Sequence, residues 1–209
     1  MFVYGLVLIL AAASAQEIST VNGKVKITTV TTAGCGDTVN FITRQLNPVY
    51  EEFKDHLILD FVPWGRTQRL ADGNLRCQFG TRDCWANRVH RCTLELLKNN
   101  QDAQMSYMNC EFDGPRPAYL LGSYTCAAAA GVSLVDLDVC VATEAGDRLD
   151  AANEAASAEP MRVINFVPAI VFNDNIDLPN HNLARRSLRS MVCFALAGDA
   201  STGVTNCGL

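Results

Sequence analysis

From Lys24 to Thr31 the chain alternates, with Val25, Ile27 and Thr29 on one face and Lys26, Thr28 and Val30 on the other. That is the period of a β-strand. Val39, Ile42 and Leu46 then recur at helix spacing, which predicts a helix beginning after Cys35. Leu57-Ile58-Leu59-Asp60-Phe61-Val62-Pro63-Trp64 reads as a buried strand stopped at its proline. Near the C-terminus, Arg162 to Val167 and Ala169 to Phe172 flank Pro168 and predict a strand and a hairpin strand, followed by an Asn173-Asp174-Asn175 turn. Asn182 is placed to cap a last helix reaching about Ala197, before Gly198. Residues 77–160 are rich in cysteine and alanine and read as helices, the Ala127–Ala130 run among them. The expected layout is a βαβ half (24–76), a helical insert (77–160), and a ββα half with a tail (161–209), together a single α/β domain over 16–209.

The first fifteen residues change that picture only at the edge. Phe2 to Ala13 is a short apolar run, and Ala13-Ser14-Ala15 is a small-residue cleavage site before Gln16. This predicts a secretory signal peptide over 1–15 and an exported mature chain, with no segment elsewhere long enough to span a membrane. The net charge of −5 argues against nucleic acid or an anionic membrane surface as partner. The basic cluster Arg185-Arg186-Ser187-Leu188-Arg189 is read as a solvated helix face. No glycine-rich phosphate loop occurs, and no cofactor is implied.

Nine cysteines in an exported chain imply disulfides, and an odd number leaves one thiol over. Cys77, Cys84, Cys92, Cys110, Cys126, Cys140, Cys193 and Cys207 would form four bridges. Among the possible pairings Cys193–Cys207 is favoured, because it would staple the last helix to the tail. Cys77, Cys84, His90 and Cys92 lack the spacing of a zinc-finger pair, so no metal site is expected. Cys35 is the natural odd one out. It sits where a strand gives way to a helix, at the positive end of the helix dipole, a setting that favours thiolate over thiol. Cys35-Gly36-Asp37-Thr38 is the C-x-x-C layout of thioredoxin-like enzymes with the second thiol replaced by Thr38. Asp37 acts against a second negative charge there, or serves simply as a first-turn acid. No histidine motif (His56, His90, His181) pairs with Cys35.

Cys77-Gln78-Phe79-Gly80-Thr81-Arg82-Asp83-Cys84, with Asn87 and Cys92 downstream, is similar to the signature C-Q-H-G-x-x-E-C of the gamma-interferon-inducible lysosomal thiol reductase (GILT) family. Phe79 stands where that family has histidine, and Asp83 where it has glutamate. Asp60-Phe61-Val62-Pro63-Trp64-Gly65 resembles its strand and turn, and Phe166-Val167-Pro168-Ala169-Ile170-Val171-Phe172-Asn173 its cis-proline hairpin. The match runs over roughly residues 25 to 207, and the family's one additional cysteine falls at Thr38. The resemblance implies a thioredoxin-like fold with a large cysteine-rich helical insert. It also implies a cis peptide at Pro168 opposite Cys35, where backbone pairs with substrate, and Cys35 as nucleophile toward protein disulfides.

A hydroxyl neither exchanges with disulfides nor forms an S–S bond, so Thr38 cannot resolve a mixed disulfide. At most its hydroxyl would donate a hydrogen bond to the Cys35 thiolate. Weak or absent dithiol reductase activity is therefore expected, with the fold acting mainly by binding a partner protein or a cell surface. The alternative is a monothiol oxidoreductase in which glutathione or another small thiol resolves the intermediate. A third possibility is a structural Cys35 that links two chains or a partner covalently. No N-x-[ST] acceptor is present, which favours secretion over glycan-directed lysosomal sorting.

Overall fold

The computed structural model describes residues 17–208, so the expected signal peptide lies outside the described residues. A three-stranded sheet runs in the order β2-β1-β5. The central strand β1 (Val25–Thr31) pairs in parallel with β2 (Leu57–Pro63) and antiparallel with β5 (Ala169–Phe172). A parallel neighbour demands a crossover. It is supplied by α1 (Gly36–Phe41), a π-helical turn over Ile42–Leu46 and α2 (Asn47–Phe53), which continue one another.

Both faces of β1 are covered. Val25 and Ile27 join the main core with Leu57, Leu59, Ile170 and Phe172, while Val30 joins a second core with Val62, Trp64, Ile164, Ala169 and Val171. This is why Thr28 and Val30, on the face opposite Val25, Ile27 and Thr29, are buried as well. Lys26, near the start of the strand, escapes to the surface and reaches Asp174 at 2.7 Å.

A short ribbon of β3 (Gln68–Arg69) and β4 (Leu75–Arg76) follows. The insert then contributes α3 (Thr81–Leu96), α4 (Gln101–Phe112), a π-helical turn (Pro117–Leu121), α5 (Thr125–Ala129), α6 (Leu134–Ala142) and α7 (Glu144–Val163). Disulfides Cys77–Cys84, Cys92–Cys140 and Cys110–Cys126 brace it. A buried ion pair ties α3 to α7, and its arginine reaches the end of β2. Arg91 of α3 meets Asp150 of α7 at 2.6 Å, donates to the Pro63 carbonyl, and lies 5.3 Å from the centre of the Trp64 ring. Burial draws the Arg91 guanidinium down to about 10, against the opposing pull of Asp150.

Two sequence expectations change. Arg162 to Val167 is not a strand: α7 runs through Pro160 to Val163, and residues 164–168 are loop, so β5 has no hairpin partner strand and the second half is βα rather than ββα. The last helix, α8 (Leu178–Ala197), begins earlier than Asn182. Its cap is Asp177, whose carboxylate accepts from the Asn180 N–H at 2.7 Å. A break at Ser187 interrupts α8, and the Leu188 N–H turns to Gln45 Oε1 at 3.3 Å. Beyond Gly198 the tail is pinned by Cys193–Cys207.

Candidate active site

Cys35 is the N-cap of α1 and the one free cysteine among the described residues. Its Sγ donates to the Val167 carbonyl at 3.4 Å, and the Val167–Pro168 peptide is cis. The β1–α1 loop therefore faces the loop that leads into β5. Cys35 is only 6% exposed, yet it lines a cleft of about 400 Å³ with Gly36, Asp37, Arg66, Gln78, Phe79, Phe166 and Val167.

The loop that carries the thiol is held from beneath by the first turns of α3. Asp83 has no solvent exposure. Its carboxylate accepts from the Thr32 hydroxyl at 2.8 Å, the Gly34 N–H at 2.9 Å, the Phe79 N–H at 3.2 Å and the Asn87 amide at 3.2 Å. Asn87 in turn accepts from the Ala33 N–H at 2.9 Å. Its amide donates to the Thr32 hydroxyl, also at 2.9 Å. Three consecutive residues before the nucleophile are thus fixed by two side chains one helical turn apart. From above, Arg116 donates to the Gly34 carbonyl at 3.2 Å.

Glycine is required twice here. A Cβ on Gly34 would fall 2.5 Å from Cγ of Phe79, whose ring lies against the loop. Gly65, with φ +55, would place a Cβ 2.9 Å from that of Thr32.

Thr38 is fully buried, and its hydroxyl makes no hydrogen bond among the described residues. The expected bond from Thr38 to Cys35 is not made, because the thiol is turned toward Val167 instead. Asp37 is exposed and lies 4.0 Å from Arg185. Arg185 covers the Phe166 ring at 3.7 Å. None of the three histidines makes a described hydrogen bond to Cys35. His56 contacts the Gly23 carbonyl, His90 is buried 3.6 Å from Glu111, and His181 is buried under Phe166 and Ile170. Among the described residues no group of three His, Cys, Asp or Glu side chains is placed to hold a metal. No described helix is long and apolar enough to cross a membrane.

The pattern described as gamma interferon inducible lysosomal thiol reductase (GILT) matches residues 26–129. GILT-like protein 1 of Drosophila melanogaster is 27% identical over 177 residues, covering 76% of this chain and 70% of its own. A gamma-interferon-inducible lysosomal thiol reductase-like protein of Anopheles gambiae is 26% identical over 183 residues, covering 78% and 73%.

The chain belongs to the GILT family.

Its fold is thioredoxin-like. BdbD from Bacillus subtilis, in the oxidised form, superposes with a TM-score of 0.55 at 12% identity, covering 86% of this chain and 98% of that one. A thioredoxin-like oxidoreductase from Silicibacter pomeroyi gives 0.51 at 11% identity, covering 86% and 94%. At such identities the likeness carries the fold alone.

Within this GILT chain the signature residues divide by place. Asp83 and Asn87 grip the thiol loop, Gln78 and Phe79 line the cleft, and Gly80, with φ +85, caps α3. Cys77, Cys84 and Cys92 are spent in disulfides. Sequence reading missed Thr32, Arg66, Arg116, Phe166 and Arg185. Thr32 lies three residues before Cys35, but its side chain gave no sign of its bond to Asp83. The others come from distant segments, with Phe166 noted only as part of the hairpin and Arg185 only as part of a solvated basic face.

Proposed function

We propose that this chain is an exported single-thiol GILT protein. It binds cysteine-bearing peptide segments of partner proteins in the Cys35 cleft and does not run a dithiol cycle of its own. The observation that carries the reading is Thr38: it occupies the resolving position, fully buried, and no second free thiol exists among the described residues. The Cys35 sulfur attacks one sulfur of a substrate disulfide, and a Cys35–substrate S–S bond forms as the substrate S–S bond breaks. The departing sulfur takes the electron pair and a proton. Release then needs a thiol from outside the chain. Four disulfides and the expected leader support an oxidising, extracellular setting, in which a partner protein or cell surface would be met.

A second reading keeps turnover. With a small thiol supplied, one molecule frees the substrate and a second frees Cys35, leaving the small thiol as its disulfide. The position of Cys35 on an open cleft beside cis-Pro168 favours keeping this reading.

The test is reduction of a denatured disulfide protein by wild type, Cys35→Ser and Thr38→Cys, with and without a small thiol. Wild type alone should match background, and Thr38→Cys should turn over, because cysteine fits the volume of a threonine whose hydroxyl is unpartnered. Wild-type turnover without added thiol, at a rate near that of Thr38→Cys, would overturn the proposal. Turnover only with added thiol, and lost in Cys35→Ser, would select the second reading.

A further inference from the structure

Phe79 is a large apolar side chain left 39% exposed. Scattered exposed hydrophobes need no explanation, but this one is held in place from two sides. Its backbone N–H is bound by the buried Asp83 carboxylate, and its ring rests on the Cα side of Gly34, where no side chain would fit. Phe166 lines the same cleft, and its ring is fixed by the Arg185 guanidinium at 3.7 Å and by His181 at 5.7 Å. Cys35 lines the same cleft as both phenylalanines. Charge at the rim is mixed, with Asp37 and Arg66 both lining the cleft, so neither sign of substrate is selected. At about 400 Å³ the space falls within the roughly 300–1,000 Å³ of ordinary ligand clefts.

We propose that Phe79 and Phe166 form an apolar subsite that selects peptides in which an aromatic or large aliphatic residue adjoins the cysteine presented to Cys35. The inference rests on the reading that Cys35 captures peptide sulfur. The occupant follows from continuity with the thiol: Cys35 lines the same cleft as both rings, so a peptide whose cysteine meets Cys35 brings its flanking residues to them. Apolar flanks would stack on the rings, where such a contact adds about tenfold in affinity beyond the area it covers. Charged flanks of either sign would meet both Asp37 and Arg66, so attraction and repulsion offset while hydration is lost.

Short peptides Gly-X-Cys-X-Gly carrying the cysteine as a methanethiosulfonate test this, with X as Phe, Leu, Gly, Glu or Lys. Cys35 attacks the peptide sulfur, the S–SO₂ bond breaks, methanesulfinate leaves with the electron pair, and the Cys35 proton passes to solvent. Quenched reactions read by intact mass give the capture rate, with Cys35→Ser as blank. Phe and Leu peptides should react about tenfold faster than the Gly peptide, and Glu and Lys peptides close to Gly. Phe79→Ala should reduce the Phe-to-Gly ratio to about two or less, and Phe79→Leu, the safer variant for folding, should keep part of it. Equal rates across peptides in wild type would overturn the subsite. So would Phe79→Ala raising every rate together with the ratio kept, which would make Phe79 a cover. Reaction with methyl methanethiosulfonate but with no peptide would also overturn it. Failure of even that small reagent, with the thiol shown free after unfolding, would overturn the capture reading and the subsite with it.

Discussion

Two aspartates are almost wholly withdrawn from water, and they are held in opposite ways. Asp150, 2% exposed, answers two guanidiniums: Arg91 at 2.6 Å and Arg88 at 2.9 Å. Asp83, with no exposure, takes its hydrogen bonds from neutral donors: a hydroxyl, an amide and two backbone N–H groups. The first ties α7 to α3 and, through Arg91, to the end of β2. The second draws the thiol loop and the Phe79 loop onto the start of α3. Charge answered by charge marks a place where folding free energy is concentrated, because removing one partner strands the other in the interior. Charge answered by loop N–H groups marks a place where backbone position is fixed, which matters most for the cleft.

The largest expected effect is therefore at the clamp. Asp150→Ala leaves Arg91, 3% exposed, with only the Pro63 carbonyl and the Trp64 ring, and should cost about 3–5 kcal/mol in denaturant unfolding. Adding Arg91→Met to Asp150→Ala should recover much of that loss, since the stranded charge is then gone. A double variant no more stable than Asp150→Ala alone would show that the pair contributes packing rather than charge compensation.

Asp83→Ala should cost less, about 2–3 kcal/mol. It removes an acceptor from several buried donors at roughly 1–3 kcal/mol apiece, and water entering the gap offsets part of this. Asp83→Asn keeps one acceptor oxygen and should fall between Asp83→Ala and wild type. The comparison is sharpened by measuring Cys35 capture per folded molecule. It should drop in the Asp83 variants and remain near wild type in Asp150→Ala at temperatures where that variant is folded. Equal loss in both would mean that the two carboxylates do the same structural work.

Legibility in the sequence follows the range of the interactions. The strand before Cys35 and the helix after it, the strand ending at Pro63 and the end of the last helix near Gly198 are all fixed by near neighbours, so patterning finds them. The free Cys35 and the Cys193–Cys207 bridge were legible from parity and position, and the structure contains both. The segment Arg162 to Val167 was misread because Pro160 looks like a stop, whereas it sits inside α7, a helix already anchored by Asp150. Asn182 was misread because Asp177, five residues earlier, is followed by Pro179 in the first turn and caps just as well. The grip of Asp83 and Asn87 on residues 32–34 had no local signal, since it spans about fifty positions of chain, and only the family signature marked those residues. Arg116 carried no signal, Phe166 was marked only as part of the hairpin segment, and Arg185 was read as part of a solvated face although it covers the Phe166 ring.

A third buried ionisable side chain avoids charge altogether, and it offers the smallest and most specific test. His181 is 1% exposed, and its Nδ1 accepts from the Ile170 N–H at 3.3 Å. Burial, with the nearby Arg185 second, lowers its ring to about 4 from the usual 6.5. In the folded state it thus remains neutral well into acid, while in the unfolded chain it protonates near 6.5. Between those values the unfolded state binds more protons, so stability should fall as pH drops from about 6.5 to about 4, by at most about 1.4 kcal/mol per pH unit from this group, and no further below. Above about 7 it contributes no slope. His181→Gln keeps an acceptor for Ile170 without a titrating ring, so its stability profile should be flatter than wild type across that window and parallel to it above. The same protonation would set an imidazolium against Arg185 beneath Phe166, so Cys35 capture of aromatic-flanked peptides should weaken in wild type over the window more than in His181→Gln. Superimposable pH profiles for the two proteins would mean that His181 is already free to protonate in the fold, and that Phe166 is held by Arg185 alone.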